Sequence, residues 1–370
     1  MLGVACGPTD VTKPTPAPAA TAAPAATTGS APQGAGLIKG PFDGEAKTLN
    51  GAGATFPAVL YSKWFNEYEK VTSVKVNYQS IGSGGGIKGL QDATVDFGAT
   101  DGPMTDEQLQ AAKGPVLHIP MTLGAVVLSY NVPEAKASIK LSGETIVSIF
   151  LGDIKKWNDA KLVADNPDLK NVDKDIVVVH RSDGSGTSFA FTDYLSSVSD
   201  AWKSKVGKGT AVNWPTGLGA KGNEGIAGEL KQDPYAIGYV ELIYAVQNKL
   251  GYADVKNKAG KWVTPSLDGV TASAAATADK VPEDLRVSIV NADGDQVYPI
   301  STFTWIIVYQ NQGDKAKAIA LTRLLWWATH DGQKFSADLS YAPLPDAIVK
   351  RDEGKIMSIS MNGAPAFPGK

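Results

Sequence analysis

The chain has 370 residues, 43% hydrophobic and 20% charged, with a formal net charge of -3. That length is too great for one ordinary core and predicts two domains of roughly 150 residues each. The charge balance excludes a basic nucleic-acid footprint, no apolar run approaches the roughly 20 residues of a helical membrane span, and the single cysteine, Cys6, leaves no disulfide, zinc site or catalytic thiol for the folded part.

Cys6 follows Leu2, Gly3, Val4 and Ala5 and precedes a tail that is almost all Thr, Pro, Ala, Gly and Ser to about Gly36. This stretch resembles the end of a bacterial lipoprotein signal, with Cys6 as the acylated first residue of the mature chain. The tail cannot bury enough apolar surface to fold, and its prolines favour extended backbone at about 3 Å per residue. Residues 1–44 are therefore expected to form a signal remnant and disordered linker.

Regular structure is expected from about Glu45. Lys47–Asn50 reads as a short strand. Phe56–Lys70 reads as a helix, with Val59, Leu60, Trp64, Phe65 and Tyr68 on one face. Val74–Gln79 alternates as a strand, followed by a glycine-rich turn and a short helix over Ile87–Asp92. Val95–Thr100 is a further strand, and Thr105 with Gln108 signals a capping box. Ala125–Tyr130 reads as a buried strand, Gly143–Leu151 as a helix, Ile176–Arg181 as a strand, Ser185–Ser197 and Gly222–Gln232 as helices, and Ile237–Glu241 as a strand. Thr302–Tyr309 and Lys315–His330 read as a final strand and an apolar helix. Strands alternating with helices predict an α/β architecture with mostly parallel sheets.

Three strand-to-helix turns share one design: Asn50–Phe56, Ile81–Gly86 and Arg181–Ser188. Each combines small residues, a hydroxyl and an immediate helix start. Free N–H groups and the positive end of the dipole face outward there, glycine lets an anion approach the backbone, and each turn is a half-shell for a phosphate, sulfate or carboxylate. Only four of the 35 basic residues are arginine, and Arg181 ends a strand directly before the third turn. Its fork suits two oxygens of a tetrahedral oxyanion, and Asp183 is placed to hold it. Asp101 follows a strand at its carboxyl end, where ligands of open α/β sheets bind. A carboxylate there accepts the proton that phosphate retains near neutral pH. Sulfate brings none, so Asp101 predicts discrimination against it.

Other chemistries fit less well. Gly84, Gly86 and Gly89 have dinucleotide-motif spacing but lack a clear βαβ unit with an acidic ribose anchor. Lys88 does not complete a P-loop. Ser185 as a hydrolase nucleophile does not fit G-x-S-x-G, and His118, His180 and His330 have no helical metal-ligand spacing. No metal, no cofactor and no catalytic residue is expected.

Together these motifs resemble the high-affinity phosphate-binding proteins of bacterial phosphate ABC transporters. The blocks that carry the resemblance are Gly51–Pro57, Ile81–Gly86, Val95–Asp101, Leu151–Asn158, Asp183–Ser188, Gly217–Gly225 and Ala236–Glu241, and it extends from about Leu49 to the C-terminus. It implies a type II periplasmic-binding-protein fold of two α/β lobes, one from 45–123 plus 298–370 and the other from 124–297. It implies phosphate ligands Thr55, Phe56, Ser83, Asp101, Arg181, Ser185, Gly186 and Thr187, with Asp183 orienting Arg181. Gly84 stands where a second serine is common, and His180 and Ser182 also depart from the pattern. The implied protein is a monomeric, extracytoplasmic carrier in the periplasm or at the cell surface, not an enzyme, which hands inorganic phosphate to an ABC permease and is held to the membrane by a lipid anchor. The alternatives are a binding protein for sulfate or molybdate and a secreted phosphoester hydrolase.

Overall fold

The structure, a computed structural model, describes residues 38–367. Cys6, the proposed acylation site, lies outside the described residues.

β1 (Thr48–Gly53) pairs in parallel with β2 (Lys75–Ser80) on one side and β3 (Phe97–Thr100) on the other. α1 (Ala58–Thr72) joins β1 to β2 and buries Leu60, Tyr61, Trp64, Phe65 and Tyr68. That is the face expected from helical periodicity, except that Val59 is only half-buried. β4 (Val116–Tyr130) is far longer than the strand expected at Ala125–Tyr130. Its first part pairs antiparallel with Ser301–Tyr309, and Val126–Tyr130 pairs antiparallel with Ala236–Glu241. Val177–Arg181 then pairs in parallel with both Ala236–Glu241 and Leu218–Ala220.

The main sheet among the described residues therefore runs β2, β1, β3, Ser301–Tyr309, β4, Ala236–Glu241, Val177–Arg181, Leu218–Ala220. The architecture is α/β as expected, but the expectation of mostly parallel sheets needs correcting. Each flank is parallel; the centre is antiparallel. β4 crosses from one half to the other, and Ser301–Tyr309 pairs beside it on the return, so these strands need no helical crossover between them. Pro120 is tolerated inside β4 because the register shifts next to it, opposite Thr304 and Trp305.

α2 (Ser83–Asp92) begins at the glycines rather than at Ile87. Glycine is a poor helix former, and packing supplies the reason for it here. A Cβ on Gly86 would lie 2.6 Å from the Ala99 carbonyl oxygen and 2.7 Å from that of Ala52. Only glycine lets the first turn of α2 lie so close to the ends of β1 and β3. That approach aims the N-terminus of α2 across the same edge from which the Thr55 and Asp101 turns emerge.

Candidate functional site

All three predicted turns leave the carboxyl ends of parallel strands and meet in the interior. Thr55 and Ser83 are 3% and 1% exposed, Asp101 and Arg181 are 1% and 3%, and Ser185 and Thr187 are fully buried. Phe56 is also fully buried. Hydrogen bonds link Ser83 to Asp101 and Gly186, Arg181 to Thr187, and both Thr55 and Thr187 to Asn223, so these residues form one cluster.

The Thr55–Phe56 turn is pinned through its carbonyls. Tyr244 donates its hydroxyl to the Thr55 oxygen and Tyr341 donates to the Phe56 oxygen, each at 2.6 Å. Ser83 is the first residue of α2, and its Oγ accepts from the N–H of Asp101 at 3.2 Å and of Gly186 at 3.0 Å. Gly84 N–H donates to the Gly184 carbonyl at 2.8 Å. The turns of the two halves are thus in direct contact. That contact requires bare backbone: a Cβ on Gly186 would lie 2.5 Å from both Ser83 Oγ and Asp101 N.

Arg181 is the last residue of its strand. Its Nε and Nη2 donate to the two oxygens of Asp183 at 2.7 and 2.6 Å, and its Nη1 donates to Thr187 Oγ1 at 3.4 Å. Three of its five N–H groups are committed, which leaves two for a ligand. Burial works against ionisation of Asp183, but the Arg181 guanidinium outweighs it and holds the carboxyl below its ordinary range. Asp183 Oδ1 also accepts the Gly222 N–H at 3.1 Å, which fixes the start of the Gly222–Gln232 helix beside the guanidinium. Ser185 caps the Gly186–Val198 helix, its Oγ accepting from Ser188 N–H at 3.0 Å. His180 is half-buried and stacks on Trp214 at 5.0 Å, away from this cluster, as alternation along the strand requires.

Asp101 is a second carboxylate of this cluster, itself buried, close to Ser83 and Arg181. Its Oδ1 accepts from Thr304 Oγ1 at 2.8 Å. Its Oδ2 is buried and has no hydrogen-bond partner among the described residues. Burial pushes its pKa up to about 7, against the opposing pull of Thr304, Arg181 and Ser83. A buried oxygen of this kind demands a proton donor, and protonated oxyanions supply one.

The sequence reading missed Asn223 and Thr304. Asn223 is fully buried and spans the cluster, its Nδ2 lying 2.7 Å from Thr55 Oγ1 and 3.2 Å from Thr187 Oγ1. Its only sequence signal was membership of the Gly217–Gly225 block. Among the described residues, no group of three or more His, Cys, Asp or Glu forms a metal site, and no helix is long and apolar enough to cross a membrane.

A family model described as PBP superfamily domain matches residues 18–328. The phosphate-binding protein PstS of Pasteurella multocida is 44% identical over 308 residues, covering 83% of this chain and 89% of the relative. PstS of Haemophilus influenzae is 44% identical over 306 residues, covering 82% and 91%. The fold is shared with the crystal structure of a phosphate-binding protein from Stenotrophomonas maltophilia, at a TM-score of 0.66 and 18% identity, covering 87% of this chain and 99% of that one. The two-lobed α/β fold accords with these likenesses, and the chain belongs to the PstS phosphate-binding protein family of the PBP superfamily.

Proposed function

We propose that the chain binds one inorganic phosphate between the Thr55, Ser83 and Asp101 turns and the Arg181–Thr187 turn, and passes it to an ABC-type phosphate permease. The observation that carries this reading is the buried Asp101 Oδ2, an acceptor without a partner among the described residues, close to the Ser83 hydroxyl and the Arg181 guanidinium. Arg181 neutralises charge with its uncommitted N–H groups, while Thr55, Ser83, Ser185 and Thr187 offer hydroxyls and Phe56 a backbone N–H. Gly186 holds the Ser83 hydroxyl in place. The ligand favours the closed arrangement because only there do both walls reach it.

The lobes in this reading are 45–123 plus 298–370 and 124–297, meeting where β4 passes from one set of partners to the other. The protein acts outside the cytoplasm as a monomer, tethered by a lipid on Cys6, and carries no cofactor. A carrier role, not hydrolysis, is supported by Ser185, whose Oγ caps a helix, and by His180, whose ring stacks on Trp214.

Isothermal titration of phosphate-stripped protein tests the reading: phosphate should bind 1:1 and sulfate far more weakly. Equal affinity for the two anions, or turnover of a chromogenic phosphoester that disappears in Ser185→Ala, would contradict it. Gly186→Ala should weaken phosphate binding by roughly 5- to 150-fold, since relieving an overpacked contact costs about 1–3 kcal/mol. The loss should appear in small-angle scattering as failure to compact on adding phosphate.

A further inference from the structure

We propose that Asn223 is a positioning residue that compels the Thr55 and Thr187 hydroxyls to donate toward the bound oxyanion. The inference rests on the phosphate reading above and adds to it a residue that touches the ligand only through others.

A hydroxyl has one proton to give and two lone pairs to receive. Thr55 Oγ1 accepts from Asn223 twice, from the backbone N–H at 3.2 Å and from Nδ2 at 2.7 Å. Thr187 Oγ1 accepts from Arg181 Nη1 at 3.4 Å and from Asn223 Nδ2 at 3.2 Å. Both hydroxyls are filled as acceptors, so each retains only the role of donor. The two protons of one amide are divided between opposite walls of the site. Ser83 is saturated in the same way by the N–H groups of Asp101 and Gly186.

The amide cannot turn over without loss. Asn223 Oδ1 accepts the Glu241 N–H at 2.9 Å, and a flipped amide would set a donor against that donor. The backbone is fixed as well. Gly222 donates to Asp183 Oδ1 at 3.1 Å, so the carboxylate that orients Arg181 also sets the turn that delivers Asn223. Aspartate at this position would keep the size and reverse the polarity. It would accept from both hydroxyls, draw their protons away from the ligand and add a negative charge beside it.

The test is titration of phosphate-stripped protein with inorganic phosphate, on wild type, Asn223→Asp, Asn223→Ala, Thr55→Val/Thr187→Val and the triple variant, with a thermal melt of each without ligand. Asn223→Asp is expected to weaken binding ~100-fold or more, from reversed polarity and like charge, and Asn223→Ala ~10-fold, from loss of oriented donors. In the double-valine background Asn223→Ala should change affinity by less than about twofold, because residues acting through one another are not additive. Independent, multiplying losses would overturn the inference, and so would an Asn223→Asp variant that binds like wild type. If the alanine variant fails to fold, the size-matched Asn223→Asp carries the test, its melt showing that the fold is kept. Wild-type protein that does not bind phosphate at all would overturn the underlying reading, a result distinct from additivity.

Discussion

Arg181→Met should weaken phosphate binding by roughly 30- to 3,000-fold, while Asp183→Asn should weaken it less. Removing one partner of a buried, hydrogen-bonded charge pair costs about 2–5 kcal/mol, and each 1.4 kcal/mol is about tenfold in affinity. Arg181 has two roles. It balances Asp183, with side chains 1% and 11% exposed, and it offers its two remaining N–H groups to the anion. Methionine keeps the apolar stem but leaves Asp183 without its counter-charge and sets that charge near an anionic ligand. Arg181→Lys should rescue only in part, since an ammonium cannot hold both Asp183 oxygens and still reach forward as a fork. Calorimetry on the three variants checks the order. Full affinity in Arg181→Met would remove the guanidinium from the site.

Asp101→Asn should narrow the preference for phosphate over sulfate by at least about 100-fold. Sites that hydrogen-bond a ligand hydroxyl reject analogues lacking it by as much as 10⁴–10⁵. In the wild type, the free Asp101 Oδ2 faces a sulfate oxygen with no proton between them. In the variant, the amide keeps its oxygen for Thr304 and presents an N–H donor, which sulfate accepts and phosphate no longer needs. The pH dependence has a definite sign. The Asp101 pKa stands at about 7 through burial, so acidification below 7 protonates it and turns the acceptor into a donor. Sulfate binding should tighten as pH falls from 8 to 5 in the wild type and lose that dependence in Asp101→Asn. The same shift acts on stability without ligand. A carboxyl raised from about 3.9 unfolded to about 7 folded contributes stability that is fully present below about pH 4 and lost as pH rises through 7. Ligand-free Asp101→Asn should therefore melt higher than wild type at pH 8 and close to it at pH 4. A sulfate affinity flat across this range in the wild type would contradict the role assigned to Asp101.

The candidate site is legible where its chemistry is local. Thr55, Ser83, Asp101 and Arg181 through Thr187 each belong to a short turn whose glycines, hydroxyls and helix start are adjacent in sequence, so the donor pattern could be read turn by turn. Asn223 could not be read in this way. Its partners lie 168 and 36 residues away, and a lone amide has no local signature of what it will orient. Thr304 is similar: it meets Asp101 across 203 residues, from within an apolar strand. Among the elements, α1 was clear because one of its faces is buried and its period shows. β4 was only half visible, because it is buried almost throughout and contains Pro120, and a strand covered on both faces loses its alternation. The glycines at the start of α2 read as a turn because propensity favours one, whereas close packing against the Ala52 and Ala99 carbonyls decides for helix.

The most direct test of the shared receptor is a crystal structure of the protein saturated with phosphate. The anion should lie within hydrogen-bond distance of Arg181, Thr55 and Thr187, with Asp101 Oδ2 accepting its hydroxyl in a short contact of about 2.5–2.7 Å. Phosphate bound elsewhere, or held between these walls with Asp101 Oδ2 still without a proton donor, would contradict the account.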